Sequence, residues 1–274
     1  MTGGPSDQPG WRPRLVVVDA DGTIADEHGI VPLAVVEALK SIDSAGIPVV
    51  LDTGRAWLSA RLILDQLGLE HQYCVCSNGA MVVTYPPLEV LHTVSFDPGP
   101  IAAAIADHPS VVMAVEDFGQ GYCVSRPFPP GAYELHGRTS VVGLGEVASR
   151  PVPRVILSDP GASRADFDVL VAGLDLRGLT SFRSGDTWID IVANGADKAQ
   201  GLAIVAKRIG VDPGDVLAFG DSYNDMALLE WSGRGVALGD APKEVRAAAD
   251  VVTAGFDDGG VVSELNRWFP HLIS

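Results

Sequence analysis

The sequence has few basic residues. Its 274 residues include 19 Lys and Arg against 35 Asp and Glu, which gives a formal net charge of −16 at pH 7. Nucleic acids and anionic membrane surfaces bind basic patches, so this deficit argues against both as partners. The chain also lacks an apolar run long enough to span a bilayer. A small phosphorylated substrate is compatible with these numbers, because one bound metal ion can invert the local charge.

Cysteine is scarce as well, and the chain contains Cys74, Cys76 and Cys123 alone. So small a number in a chain of this length favours reduced thiols and a cytoplasmic protein. Cys74 and Cys76 could form half of a zinc site, but no second Cys or His pair occurs at metal-binding spacing. We therefore expect a cytoplasmic location without a structural zinc ion.

The first thirteen residues have neither a basic start nor an apolar run. They contain a Gly-Pro pair and a Pro-Gly pair, which are typical of irregular chain. The segment 1–13 is therefore predicted to be a disordered tail and not a secretory signal peptide.

Apolar sequence, by contrast, is plentiful. Apolar residues make up 47% of the chain and charged residues 20%, which is a globular composition. A strand–helix–strand–helix–strand order in the first part is typical of a parallel sheet with crossover helices. The predicted elements are strands at 16–18, 47–51 and 72–76, a helix between Pro32 and Gly46, and a helix at 56–67.

The pattern changes after residue 80. Residues 81–96 alternate around two prolines and predict a hairpin. A mixture of short strands, helices and proline-rich joints follows, which indicates an inserted α+β domain at 97–190. Its predicted elements are helices at 101–107 and 164–173, and strands at 111–117, 121–126, 154–158, 179–183 and 187–192.

The first pattern returns after about residue 195. Residues 14–96 and 191–274 are therefore predicted to form one α/β domain with a parallel sheet, interrupted by the insert. The predicted elements of this last part are a helix that starts at Lys198, helices at 226–231 and 242–248, and strands at 216–219, 235–238 and 250–253.

Four segments carry polar side chains where an apolar strand ends or a helix starts. Ligands bind at the carboxyl ends of strands in open α/β sheets, so these groups are expected to converge. Clustered carboxylates repel one another unless a cation lies among them, and a small set of hard oxygen ligands favours Mg²⁺. A metal, a cationic side chain and a nucleophile are what phosphoryl transfer needs. The groups in question are Asp19, Asp21, Thr53, Lys198, Asp221, Asn224 and Asp225.

In their order along the chain, these segments resemble the motifs of the haloacid dehalogenase superfamily of phosphohydrolases, and within it the Cof-type branch with a large α+β cap. The resemblance covers residues 14–267, of which 97–190 match in layout only. It implies a Rossmann-like parallel-sheet core with helices on both faces and an inserted cap domain. The motifs are Asp19-x-Asp21-Gly-Thr, Thr53-Gly-Arg, Lys198, Gly-Asp221-x-x-Asn-Asp225 and, for the Cof-type branch, Asn78-Gly-Ala.

The resemblance implies a two-step hydrolysis by a phosphatase that uses Mg²⁺. Asp19 would attack phosphorus and form an aspartyl phosphate, and Asp21 would protonate the leaving oxygen and then activate a water. Mg²⁺ would be held by the Asp19 carboxylate, the backbone carbonyl of Asp21 and Asp221. The partner would be a small phosphorylated metabolite, such as a sugar phosphate or a phosphorylated cofactor.

The other matched residues are expected to serve the phosphate. Thr53 and Lys198 would bind phosphoryl oxygens, and Asn78 and Asn224 would be further polar contacts near the phosphate. Asp225 would orient Lys198 or a metal-bound water. The Asn-Gly pair that starts at Asn78 is equally an ordinary hairpin turn, so its role stays open.

Two other functions stay open. A phosphomutase would use the same aspartyl phosphate and transfer the group to a second sugar position. A receiver-like regulatory phospho-acceptor would also use a strand-end Asp, a Thr and a Lys, although Asp21 and the insert argue against it. The protein is expected to be a monomer or homodimer. Asp52 precedes Thr53 where the family usually has a small residue, so one more negative charge is expected near the site.

Overall fold

The computed structural model describes residues 6, 10–128, 135 and 137–273. These residues form two compact units. The predicted insert at 97–190 lies within the second unit. The first unit comprises the chain up to Arg55, Ala60–His92 and the chain from Asp197 onward, and the second comprises Ala56–Ser59 and Thr93–Ala196.

Strands and helices are numbered in chain order. The described strands are β1 (Leu15–Val18), β2 (Val49–Asp52), β3 (Gln72–Cys76), β4 (Met81–Tyr85), β5 (Glu89–Thr93), β6 (Val112–Asp117), β7 (Gly121–Val124), β8 (Arg138–Val141), β9 (Arg154–Ser158), β10 (Leu179–Gly185), β11 (Trp188–Ala193), β12 (Val216–Gly220), β13 (Arg234–Ala237) and β14 (Val251–Val252). The described α-helices are α1 (Leu33–Ser44), α2 (Trp57–Leu67), α3 (Gly99–Ala104), α4 (Leu144–Val147), α5 (Arg164–Ala172), α6 (Lys198–Ile209), α7 (Met226–Trp231), α8 (Lys243–Ala248) and α9 (Gly260–Trp268).

The described part of the first unit is built on an eight-stranded sheet with the order β14-β13-β12-β1-β2-β3-β4-β5. The pairs from β14 to β3 are parallel, and β4 runs antiparallel to β3. β1 has the sequence Leu-Val-Val-Val, and each of its side chains is fully buried. A continuous apolar strand of this kind is expected in a parallel sheet that is covered on both faces. The predicted α/β class is thus confirmed.

Helices cover both faces of this sheet. Leu15 and Val17 of β1 lie in one apolar cluster with Leu202 and Val205 of α6. Because side chains alternate along a strand, the neighbouring residues of β1 point to the opposite face, and they are equally buried. On that second face α1 packs against β2 and α9.

The second unit contains a different sheet. Its described strands follow the order β10-β11-β9-β6-β7-β8, and the pairs are antiparallel except for β7 with β8. One face carries the apolar cluster formed with α3, α4 and α5, to which Ile101, Val147 and Phe167 contribute. The α+β layout that the sequence predicts for the insert is therefore present.

Helix α6, which begins the last part of the chain, has well-defined ends. The side chain of Asp197 accepts a hydrogen bond from the backbone N–H of Gln200 at 2.8 Å and caps the first turn. Gly210 ends the helix in the left-handed conformation. None of the described helices is both long and apolar enough to cross a membrane.

Most predicted elements are present, and three have the predicted bounds: the strands at 72–76 and 154–158 and the helix at 226–231. The sequence pattern does not predict β8, α4 and α9. β8 is largely exposed and has no apolar alternation, and α4 is a single turn. α9 starts with a glycine and two valines, which are weak helix formers, so it depends on packing rather than on propensity.

The predicted tail needs a correction at Trp11. Residues 1–5 and 7–9 lie outside the described residues, so the prediction is untested there. The Trp11 indole N–H, however, donates a hydrogen bond of 2.7 Å to the carbonyl of Gly214. Its ring also meets the ring of Trp268 edge-on at 4.8 Å. A single tryptophan in a polar, proline-containing segment gave no sign of this packing, which depends on distant partners.

A buried ion pair ties α9 to β13. The Glu264 carboxylate accepts hydrogen bonds from Arg234 Nε at 2.7 Å and from the Trp268 indole at 2.9 Å. Because both charged side chains are buried, we expect Glu264→Leu to lower the free energy of unfolding by about 3–5 kcal/mol, since it leaves the Arg234 charge unpaired. Urea denaturation measures the loss. The control Glu37→Leu, at an exposed helical position, should change it by less than about 0.5 kcal/mol, and equal losses would contradict the prediction.

Candidate active site

The carboxyl ends of three neighbouring parallel strands form one edge of the first unit's sheet. β1 lies between β12 and β2, with Val18 paired to Phe219 on one side and Leu51 on the other. Asp19 follows β1, Thr53 follows β2, and Asp221 follows β12. The sheet register therefore brings these residues to the same edge, as the strand-end rule predicts.

Lys198, the first residue of α6, lies fully buried at this edge. Its ammonium group is 2.6 Å from Asp19 Oδ1 and 2.5 Å from Asp225 Oδ1. Burial alone would lower the pKa of Lys198, but the charges of Asp19 and Asp225 outweigh burial and raise it above its usual value. Lys198 is therefore a protonated, doubly paired cation and not a solvated surface lysine.

Asp225 joins this ion pair to the turn that carries Asp221. One of its carboxylate oxygens accepts from Lys198, and the other accepts from the backbone N–H groups of Asp221 and Ser222 at 3.0 and 2.9 Å. The Ser222 hydroxyl supports the same turn from the side chain, as the capping residue of a short 3₁₀ helix over Tyr223–Asp225. Asp225 thus fixes both the lysine and the loop.

A cluster of carboxylates next to Lys198 is suited to a divalent cation. Asp19, Asp221 and Asp225 can each offer an oxygen such that these atoms lie within 4.8 Å of one another. Burial and the neighbouring acids raise the pKa of Asp221 to about 6, although Thr23 donates a hydrogen bond of 2.7 Å to it. Burial also raises the pKa of Asp19, while Lys198 acts in the opposite direction. A bound cation would relieve this repulsion, and hard carboxylate oxygens suit Mg²⁺.

Asp21 lies beside this cluster but has a different partner. Both of its carboxylate oxygens accept hydrogen bonds from Arg55, from Nε at 2.8 Å and from Nη2. Asp21 remains partly exposed, and its carboxylate is therefore fixed in orientation without being removed from water. The Thr53-Gly-Arg motif does not by itself predict this two-point pair, because the direction of the Arg55 side chain is not set by local sequence.

Thr53, Asn78 and Asn224 meet on the β2 side of the edge. Thr53 is buried, and its hydroxyl accepts a hydrogen bond from the backbone N–H of Arg55 at 3.1 Å. Asn224 Nδ2 donates to Asn78 Oδ1 at 2.8 Å, and Ser222 Oγ donates to Asn224 Oδ1 at 2.5 Å. Asn78 occupies the turn between β3 and β4, so it is both the turn residue and a member of the polar edge.

The residues singled out in the sequence therefore gather at one sheet edge. Asp19, Lys198 and Asp225 are in direct contact, and Asp221 is tied to them through the Asp225 carboxylate. Asp21 is connected to this edge through Arg55, which follows β2 by three residues. The arrangement combines a buried carboxylate, a cation, an acidic cluster and a second, accessible carboxylate, which is what metal-assisted phosphoryl transfer requires.

Comparisons with known proteins agree with this chemistry. A sequence model of haloacid dehalogenase-like hydrolases matches residues 16–109 and 164–265. A phosphoglycolate phosphatase of Natronomonas pharaonis is 30% identical over 245 residues, 89% of this chain and 93% of the relative. A phosphoglycolate phosphatase of Methanopyrus kandleri is 29% identical over 253 residues, 92% and 96% of the two chains. The crystal structure of a haloacid dehalogenase-like hydrolase from Bacteroides thetaiotaomicron, 24% identical, covers 92% of this chain and 98% of its own with a TM-score of 0.81, a likeness of fold.

Gly22 leaves room for the Asp221 side chain of the acidic cluster. Its φ is +76°, and a Cβ at this position would lie 2.5 Å from Asp221 Oδ2. We expect Gly22→Ala to lower the free energy of unfolding by about 1–2 kcal/mol through its left-handed backbone, and to weaken Mg²⁺ binding at least about tenfold by displacing Asp221. Thermal unfolding and calorimetric titration with Mg²⁺ measure the two effects.

Gly46 provides the matched control. Its φ is +85°, and a Cβ there would meet nothing within 4 Å. Gly46→Ala should therefore lose a similar amount of stability and keep its affinity for Mg²⁺. If both variants bound Mg²⁺ equally, the close approach of Gly22 to Asp221 would have no role in the cation site.

Proposed function

Because the chain belongs to the haloacid dehalogenase-like hydrolase family, we propose that it is a Mg²⁺-dependent phosphatase that hydrolyses a small phosphomonoester through an aspartyl phosphate. The family and the class of phosphoric monoester hydrolases agree with the sequence prediction. One observation supports the proposed Mg²⁺-dependent mechanism through an aspartyl phosphate most directly. The buried Lys198 ammonium lies 2.6 Å from the carboxylate of Asp19, beside an acidic cluster.

Asp19 is the proposed nucleophile. Burial raises the pKa of Asp19 well above its usual value, but the adjacent Lys198 charge opposes this rise and favours the ionised form, which has the free electron pair that attack on phosphorus needs. In the first step an Asp19 oxygen forms a bond to phosphorus while the bond between phosphorus and the leaving oxygen breaks. In the second step a water oxygen attacks the same phosphorus, and the Asp19 carboxylate is released with inorganic phosphate as the product.

Asp21 is the proposed proton carrier for both steps. It gives a proton to the leaving oxygen and later takes one from the attacking water, so it ends the cycle as it began. Its partial exposure supports this role, because the group must meet both the substrate oxygen and water. Arg55 fixes the direction of its carboxyl group through two hydrogen bonds.

The proposed metal site consists of the Asp19 carboxylate, the backbone carbonyl of Asp21 and the Asp221 carboxylate. The close oxygens of the acidic cluster support it, as does the hydrogen bond from Thr23 that orients Asp221. Bound Mg²⁺ would supply Lewis-acid stabilisation of the charge on the phosphoryl oxygens.

The phosphoryl group is proposed to bind between Thr53 and Lys198, with Asn78 and Asn224 as further donors. A pre-oriented ammonium group can stabilise the charge that develops in the transition state. The hydrogen bond between the two asparagines holds both amides in fixed orientations. Asp225 accepts a hydrogen bond from the Lys198 ammonium group and keeps that group in place.

The proposed substrate is a small phosphorylated metabolite, such as a sugar phosphate or a phosphorylated cofactor. The excess of acidic residues argues against a polyanionic partner such as nucleic acid. Release of phosphate from a panel of phosphorylated metabolites with Mg²⁺ would identify the preferred class. The panel should include 2-phosphoglycolate, because several relatives are named phosphoglycolate phosphatases.

Replacing the nucleophile tests the proposal most directly. Asp19→Asn keeps the size of the side chain and an oxygen that can accept from Lys198, but the amide cannot attack phosphorus. We expect release of phosphate from an aryl phosphate to fall by about a thousandfold or more, with an unchanged circular dichroism spectrum. The control Asp107→Asn, at an exposed position of the second unit, should keep its activity. Unchanged turnover in Asp19→Asn would exclude the mechanism.

The same assay separates the other two functions. A phosphomutase would give an isomerised sugar phosphate instead of free phosphate. A regulatory phospho-acceptor would give a long-lived phosphorylated Asp19 without turnover.

A further inference from the structure

Asp52 is a buried acid to which the proposed mechanism assigns no role. It is the last residue of β2 and is fully shielded from solvent. Neither of its carboxylate oxygens has a hydrogen-bond partner among the described residues. An ionised carboxylate without partners is very unfavourable in a protein interior, so the group needs a physical explanation.

The sheet register places Asp52 on the face that carries α6. Val17 of β1 pairs with Val50 of β2, and both contact the apolar cluster that includes Leu202 of α6. Asp19 lies two residues after Val17, and Asp52 lies two residues after Val50. Because side chains alternate along a strand with a period of two, Asp19 and Asp52 point to the same face as these valines. That face is where α6 begins with Lys198.

The charged groups that act on Asp52 belong to three segments of the chain. Lys198 and Asp197 belong to the start of α6, Asp19 follows β1, and Asp225 precedes α7. On the other side, the residue paired with Asp52 in β3 is the apolar Val75. Burial raises the pKa of Asp52 well above its usual value, the Lys198 charge lowers it, and the three acids raise it further.

Lys198 is already paired with two carboxylates. Its ammonium group already lies 2.6 and 2.5 Å from two carboxylates, and Asp52 forms no ion pair with it among the described contacts. An additional negative charge at Asp52 would weaken the positive potential that Lys198 offers to a phosphoryl group.

We propose that Asp52 is a positioning residue that acts through Lys198: it stands in the folded protein as an uncharged carboxylic acid, and its loss of the proton sets an upper pH limit for phosphate binding. The inference rests on the proposed role of Lys198 in holding the phosphoryl group.

The first arm of the test measures protonation without any activity. In the unfolded chain, Asp52 loses its proton near the usual pKa of aspartate, whereas native Asp52 is proposed to keep it. At a pH above the usual pKa of aspartate, folding therefore binds one proton. The contribution of Asp52 to stability must then fall as pH rises. Through this contribution the unfolding constant increases tenfold per pH unit until native Asp52 ionises. In Asp52→Asn this contribution disappears, so the ratio of wild-type to variant unfolding constants should rise by up to tenfold per pH unit, measured by urea denaturation from pH 4 to 9.

The second arm measures the action on Lys198. Binding of inorganic phosphate in the presence of Mg²⁺ is titrated calorimetrically from pH 6 to 10 for both proteins. The ratio of variant to wild-type affinity cancels the titration of phosphate itself. We expect this ratio to rise with pH, by up to tenfold per pH unit, because an ionised Asp52 weakens phosphate binding in the wild type alone. A purely structural role would change affinity by the same factor at every pH.

Two further variants complete the design. Asp52→Ser also removes the ionisable group and should reproduce both pH trends, and the exposed Asp107→Asn should show neither. A ratio of unfolding constants that is independent of pH, or a ratio of phosphate affinities that is independent of pH, would overturn the inference. A protein that shows both trends but releases no phosphate from any monoester would support the inference and exclude the proposed phosphatase.

Discussion

The paired ammonium group of Lys198 is the interaction on which the polar edge of the first unit depends. A buried charge is tolerable only when its partners are close and well oriented, and Lys198 has one at 2.6 Å and another at 2.5 Å. The lysine, Asp19 and Asp225 come from the start of α6, the end of β1 and the turn before α7. A shift of any one of these elements would separate a buried charge from its partner. The same pairing therefore also holds three elements in register.

Close approach of backbone segments is the second requirement of this edge. Besides Gly22, two glycines leave room for site residues: a Cβ on Gly220 would lie 2.5 Å from the Asp225 side chain, and one on Gly54 would lie 2.9 Å from Asn78 Oδ1. These positions stand directly beside the strand ends that carry Asp221 and Thr53. The polar groups can approach one another because these three positions are glycines, which have no side chain to occupy the space.

Much of the site could be predicted because it follows from local sequence. An apolar strand that ends in Asp19, or a helix that opens with Lys198, places a polar group at a sheet edge by simple geometry. The pairing of Arg55 with Asp21 could not be read in this way, since an arginine three residues beyond a strand has many possible directions. The anchoring of Trp11 and the helix at 260–268 depend likewise on partners far away in sequence. Local propensity contains no information about such partners.

The sequence by itself determined the class of fold, the order of the strand ends and the types of group that stand there. Strand periodicity and turn residues suffice for this, because they act over a few neighbouring positions. Only the tertiary structure decided what each group contacts: that Lys198 is buried between two carboxylates, that Asp21 faces Arg55, and that neither Asp52 oxygen has a hydrogen-bond partner in the described part of the chain. Burial and pairing set the charge of an ionisable group, and both arise only when segments distant in the chain pack together.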